Sequence, residues 1–208
     1  MDKILVTVLP LGELQANCYL VRREGSKNSI VIDPGDDYET LKEALDRLSL
    51  IPRHVLLTHG HFDHMLCAAH LKSDFGAKIC ISEKDEIFLS DKSYNLCPDT
   101  SVVPFVSAKA DLLLSAGDYT LSDIDFTVIE TPGHTPGGVC YYLKDEQLLF
   151  SGDTLFSNGF GRTDFKGGDW AALFKSLKTL FQLPPGTLVY PGHGEHANAG
   201  DIRKGFYR

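Results

Sequence analysis

Eight histidines occur in the 208 residues, and five of them stand next to glycine or aspartate in short groups. The densest group is His59-Gly60-His61-Phe62-Asp63-His64; His134 and His193 each follow Pro-Gly, and Asp153 follows Ser-Gly. Imidazole nitrogen and carboxylate oxygen are the donors that suit zinc and similar divalent ions, so these residue types point to a metal site without thiolates. In extended backbone, side chains two apart point the same way, so His59 and His61 can clasp one ion, with Gly60 letting the chain bend close to it. Asp63 and His64 then begin a helical turn and aim at a neighbouring position. His134 would complete the first set and His193 the second, which leaves the two oxygens of Asp153 free to bridge both ions. Water held between two such cations is acidified toward neutral pH.

Each residue has a plainer reading. A histidine at a strand end is more often a hydrogen-bonded structural residue, and Asp63 suits a helix N-cap. The joint pattern weighs against chance, because four predicted strands, ending near Thr58, Thr131, Gly152 and Tyr190, are each followed by a ligand type beside glycine or proline. If those ends border one edge of the fold, the seven side chains converge.

The elements that must position them alternate. Residues 4–9, 18–22 and 29–32 read as strands; residues 38–50 carry Leu41, Ala44, Leu45 and Leu48 at helical spacing, with Pro52 as the stop. A short strand at 54–58 leads into the histidine cluster, and a second helix runs over 65–75 to Gly76. Another strand follows at 78–82, and the second half repeats this grammar, with strands at 125–131, 139–144, 147–151 and 187–190 and a helix over 169–183. With 43% hydrophobic residues, the chain is expected to form one α/β domain over residues 1–208.

A formal charge of -8 argues against a surface that follows a phosphate backbone, so no nucleic-acid partner is expected. No apolar run is long enough to span a bilayer, and the N-terminal residues read as a first strand rather than a leader. Five scattered cysteines form no Cys-x-x-Cys pair, which predicts free thiols and a reducing, cytoplasmic setting. Cys67 and Cys140 read as small buried apolar residues. His54, His70 and His196 read as structural or surface residues.

Four motifs together resemble the metallo-β-lactamase superfamily: Thr58 to His64, Thr131-Pro132-Gly133-His134-Thr135-Pro136-Gly137, Ser151-Gly152-Asp153-Thr154-Leu155-Phe156 and Pro191-Gly192-His193-Gly194. More narrowly, the chain is similar to the glyoxalase II branch, the hydroxyacylglutathione hydrolases, over nearly its whole length. The resemblance implies a four-layer αβ/βα sandwich with two divalent ions at one edge, zinc first and iron or manganese as alternatives. It assigns His59, His61 and His134 to one ion, Asp63, His64 and His193 to the other, and Asp153 to both. It also implies hydrolysis of a small-molecule thioester such as an acyl-glutathione by a metal-bound hydroxide, with Asp63 and Asp153 in the catalytic centre. Asp33, before Pro-Gly, reads either as an orienter of a ligand histidine or as a turn former. Arg162 reads either as the ion-pair partner of Asp164 or as a contact for an anionic substrate.

Longer glyoxalase II enzymes carry a helical glutathione-binding region after these motifs. Here only residues 196–208 follow, with Arg203, Lys204, Tyr207 and Arg208 as the groups that could meet glutathione. The resemblance is therefore to short, single-domain members, for which weak discrimination between glutathione and truncated thioesters is expected. The Gly159 to Asp164 segment also resembles the persulfide dioxygenases, which use one iron and are the alternative activity. A noncatalytic binding or sensor module of the same fold is the second alternative.

Overall fold

The computed structural model describes residues 3–206; Tyr207 and Arg208 of the tail lie outside the described residues. Two six-stranded sheets face each other. The first has the order β1-β2-β3-β4-β5-β6, formed by β1 (Ile4–Leu11), β2 (Ala16–Arg23), β3 (Asn28–Ile32), β4 (Ile51–Leu56), β5 (Lys78–Ser82) and β6 (Leu112–Leu114). The second has the order β14-β13-β10-β9-β8-β7, formed by β7 (Gly117–Leu121), β8 (Ile124–Glu130), β9 (Val139–Leu143), β10 (Leu148–Gly152), β13 (Leu188–Pro191) and β14 (Ala197–Asn198). A small hairpin of β11 (Leu155–Phe156) and β12 (Gly159–Phe160) follows β10.

Alternation along the strands produces the layers. Tyr19, Val21, Ile30 and Ile32 face Phe126, Val128, Tyr141 and Phe150 in a core between the sheets. Their neighbours Leu20 and Val31 point the other way, onto Leu41 and Leu45 of α1 (Tyr38–Leu48) and Leu71 of α3 (Ala68–Phe75). On the far side, Cys140, Tyr142 and Leu149 meet Leu173 and Leu177 of α5 (Trp170–Leu180) and Ile202 of α6 (Ala199–Phe206). Each fully buried leucine contributes roughly 1.5–3 kcal/mol, so these three interfaces hold the sandwich together. The result is the expected αβ/βα stack.

The helix boundaries depart from the sequence reading for identifiable reasons. Helix α1 starts at Asp37, whose side chain accepts the Thr40 amide, and stops at Ser49, which has φ of 53°; Pro52 lies inside β4 instead. The β3–β4 register shifts between Ser29 and Ile30, opposite Pro52, where an irregular pairing tolerates a residue without an amide proton. The expected helix over 65–75 is two helices, α2 (Phe62–Met65) and α3, because the Cys67 amide donates to the carbonyls of Pro34 and Gly35. A fourth short helix, α4 (Lys92–Asn95), follows a 3-10 turn over Glu83–Leu89. All five cysteines are free and buried. Among the described residues, no helix is long and apolar enough to cross a membrane.

Candidate metal centre

Strand direction brings the ligand types to one edge. In the second sheet β8 and β9, and β9 and β10, pair antiparallel, while β10 and β13 pair parallel, so β8, β10 and β13 run the same way and end together. Gly152 lies opposite Pro191 in the β10–β13 register, which sets Asp153 beside His193. The first sheet contributes the residues after β4, and the amide of Val139 donates to the Thr58 carbonyl, tying the two sheets at this edge. Glycine is required at 192, where a β-carbon would stand 2.1 Å from Oδ1 of Asp153. Glycine is required at 60 as well, where a β-carbon would strike the Phe88 side chain at 2.2 Å.

The donor atoms form two overlapping groups. His59, His61 and His134 offer donor atoms within 4.8 Å of one another, as do Asp63, His64 and His193. Asp153 lies between them: Oδ2 is 3.5 Å from Nε2 of His134, while Oδ1 is 3.5 Å from Nε2 of His64 and 3.7 Å from Nε2 of His193. Oδ2 of Asp63 is 3.5 Å from His64 and 3.3 Å from His193. Ligands about 2.1 Å from a tetrahedral ion stand about 3.4 Å apart, so these spacings are those of a coordination shell. Nε2 of His59 and His64 and Oδ1 of Asp153 are buried without a hydrogen-bond partner among the described residues. Buried polar atoms left unmade are costly, and a cation in each group completes them. The residues therefore fit a pair of divalent ions. A third trio, Asp33, His59 and His64, also lies within 4.8 Å, but the Asp33 carboxylate is already saturated by protein donors.

Most of the imidazoles are oriented through their other nitrogen. His64 donates from Nδ1 to Oδ2 of Asp33 at 3.1 Å, His134 to the Arg162 carbonyl at 2.7 Å and His193 to the Leu14 carbonyl at 3.2 Å. Thr58 donates its hydroxyl proton to Asp33 at 2.6 Å and lies 3.1 Å from Nδ1 of His59, so Asp33 supports two histidines. His61 alone turns Nδ1 inward, 2.9 Å from Nε2 of His134. Asp63 sits within α2, whose N-cap is His61, so the alternative reading of Asp63 as the helix N-cap does not hold.

Burial and the surrounding imidazoles hold His59 well below its ordinary pKa, and burial together with His134 and His64 pushes His61 down to about 3. Burial also pulls His64 down, but Asp63, Asp153 and Asp33 outweigh it and raise the group to about 10. Asp63 is driven up by burial and, more strongly, down by His64 and His193.

Among the buried carboxylates that the sequence reading missed, one stands directly behind the first set. Asp85, in the 3-10 turn over Glu83–Leu89, is 0% exposed. It accepts hydrogen bonds from the Gly60 amide at 3.3 Å, the Thr135 hydroxyl at 2.7 Å and the Gly137 amide at 2.6 Å. Burial lifts its pKa to about 6 despite these donors. It clamps the His59–His61 segment to the loop that carries His134. Arg162 forms a two-point ion pair with the exposed Asp164 and lies 4.0 Å over the Phe165 ring. Arg203 donates to the Phe181 carbonyl and Lys204 pairs with Asp201, so the described tail cations are engaged within their own layer.

Residues 11–193 match the Metallo-beta-lactamase superfamily. A hydroxyacylglutathione hydrolase, GloC, of Haemophilus influenzae is 31% identical over 208 residues, covering 96% of this chain and 95% of that protein. Among solved structures, BLEG-1 B3 metallo-beta-lactamase superposes with a TM-score of 0.90 at 36% identity, over 96% of this chain and 97% of that one. TTHA1623 in a di-iron-bound form superposes with a TM-score of 0.85 at 36% identity, over 96% and 98%. With matching motifs, layers and edge, the chain belongs to the metallo-beta-lactamase superfamily.

Proposed function

We propose that the chain is a binuclear metal-dependent hydrolase of a small thioester, such as an acyl-glutathione. The observation that carries the reading is the division of the Asp153 carboxylate, one oxygen toward His134 and the other toward His64 and His193. In this reading His59, His61 and His134 would hold one ion, Asp63, His64 and His193 would hold the second, and Asp153 would serve both. When bound, two such ions polarise a carbonyl and acidify a water molecule at neutral pH. Asp33, Leu14 and Arg162 fix the imidazole rings, the last two through their carbonyl oxygens, so that little reorganisation is left for the reacting complex. A thiolate leaves as a weak base, so no side chain is required to protonate it. The GloC relative supports the thioester assignment, since it carries that name at nearly the same length. Zinc suits the nitrogen and oxygen donors; the di-iron form of TTHA1623 favours testing iron beside it.

A second reading, β-lactam hydrolysis, is favoured by the likeness to BLEG-1. The test is metal analysis of the purified protein together with thiol release from acyl-glutathiones, β-lactam opening and oxygen consumption with a glutathione persulfide. Two ions per chain with thiol release support the proposal. One iron per chain with oxygen uptake overturns it in favour of a dioxygenase, and β-lactam opening without thiol release overturns it in favour of the second reading.

A further inference from the structure

The two six-stranded sheets end in four edge strands: β1 and β6 in the first, β7 and β14 in the second. Three of these are blunted. β6 has three residues, β14 has two, and β7 has five with Asp118 among them. β1 is different: its eight residues, Ile-Leu-Val-Thr-Val-Leu-Pro-Leu, hold no charge, and Val8 is 39% exposed. A long uncharged edge offers open backbone groups to another strand, and folds ordinarily guard it with charge or brevity. The Glu24 amide donates to the Lys3 carbonyl, and the β1–β2 register continues unbroken from Ile4–Arg23 to Leu11–Ala16. Bonds alternate along an antiparallel pair, so Leu5, Thr7 and Leu9 turn their backbone groups toward β2, while Ile4, Val6, Val8 and Pro10 turn theirs outward. Pro10, which has no amide proton, stands in the outward series, where an edge strand tolerates it.

We propose that β1 pairs with β1 of a second copy of this chain, antiparallel and centred on Thr7, so that the first sheets of two copies join into one continuous sheet. The strand is its own complement: Leu5-Val6-Thr7-Val8-Leu9 reads the same in both directions. In that register Val6 lies opposite Val8 of the second copy and exchanges both backbone bonds with it, Leu5 lies opposite Leu9, and Thr7 meets Thr7 as a close pair without backbone bonds. Ile4 donates to the Pro10 carbonyl of the second copy, and the missing Pro10 amide ends the ladder. Each layer continues across the join, because every residue faces one of the same parity: Ile4 and Val6 keep to the core between the sheets and Leu9 to the α1 side. Charge completes the fit. Beyond the strand, Lys3 falls opposite Leu11 and diagonal to Glu13 of the second copy; both charged residues are exposed, and the two-fold axis brings this opposite pair together twice. A two-fold contact uses each β1 edge once, so association closes at two copies.

The test is the mass of the full, ion-loaded chain in solution, by light scattering and sedimentation over a dilution series. A dimer at micromolar concentration that dissociates on dilution is expected. Thr7→Cys should cross-link to itself under mild oxidation, whereas Leu5→Cys should cross-link only when mixed with Leu9→Cys; the five native cysteines are buried and stay apart from this chemistry. Val8→Pro removes an outward amide and none of the β1–β2 bonds, so it should give a monomer with unchanged metal content and thermal unfolding. Lys3→Glu should weaken the dimer by about three- to tenfold, and adding Glu13→Lys to it should restore the affinity. A chain that stays monomeric at high micromolar concentration overturns the proposal, as does a dimer that a folded Val8→Pro variant leaves intact, Leu5→Cys cross-linking alone, or growth beyond two copies. If Val8→Pro does not fold, the cysteine and charge-swap series decide by themselves.

Discussion

His59, His61 and His134 are only 2–5% exposed and are packed among one another's rings, whereas across Asp153 the His193 side chain is 31% exposed and matched with carboxylates. The first set consists of imidazoles alone, braced from behind by Asp85; the second mixes His64 and His193 with Asp63 and hangs partly on the Leu14 carbonyl of a surface turn. The contrast teaches that one set is kept ready by enclosure and the other by charge. In the first set, His59 and His61, held neutral by burial and by neighbouring imidazoles, offer their lone pairs without first losing a proton. A mixed set holds its own internal ion pairs, which an arriving cation must replace.

The largest effect is expected where the two sets meet. Asp153→Ala should remove both ions and lower kcat/KM by roughly a thousandfold or more, about 4 kcal/mol, because one carboxylate faces donors of both sets. Metal content and turnover of the purified variant check this, and retention of two tightly bound ions would overturn the bridging role of Asp153 between the sets. His193→Ala should deplete mainly the second ion and leave the enclosed first set loaded. Equal loss of both ions would show that the first set depends on the second.

A smaller and more selective effect is expected behind the first set. Asp85→Ala strands two amides and a hydroxyl, at about 1–3 kcal/mol for each buried group left unmade, softened where water enters. Thermal unfolding should fall accordingly, and affinity for the first ion should drop about 10–100-fold, with the second ion less affected. Asp33→Ala is the matching probe, since Asp33 carries His64 and, through Thr58, His59. If both variants weaken both ions alike, the sets are not separately braced.

The sequence exposed the centre more readily than its bracing. Ligand residues advertise themselves because His and Asp beside glycine at strand ends are uncommon, and strand direction then brings them to one edge. Helix α1 was legible because Leu41 and Leu45 repeat at helical spacing. Asp85 was not, because its partners Gly60, Thr135 and Gly137 are 25 to 52 residues away and a lone aspartate in a polar stretch has no local signature. Strands β6 and β7 were missed for a related reason: Leu112–Leu114 spans three residues and Gly117–Leu121 is mostly polar, so register with β5 and β8 rather than local pattern defines them.

The last and smallest effect is a count of protons. In the ion-free protein His59 and His61 are held neutral across about pH 5 to 8, His61 with its pKa near 3, so loading their nitrogens displaces nothing. His64, raised to about 10 by Asp63 and Asp153 against its burial, carries a proton over the same range and must release it before Nε2 can bind a cation. The sign follows directly: lower pH favours the protonated, ion-free form, and rising pH strengthens ion binding until the pH passes about 10. Each displaced proton makes overall affinity about tenfold stronger per pH unit. Calorimetric titration at pH 7 in two buffers of different ionisation enthalpy should therefore report at least one proton released on filling both sites. His64→Gln should lower that count by about one, whereas His61→Gln should leave it unchanged. An equal loss from both variants would mean that the proton belongs to the cluster as a whole, and the division between an enclosed set and a charged set would fail at its electrostatic root.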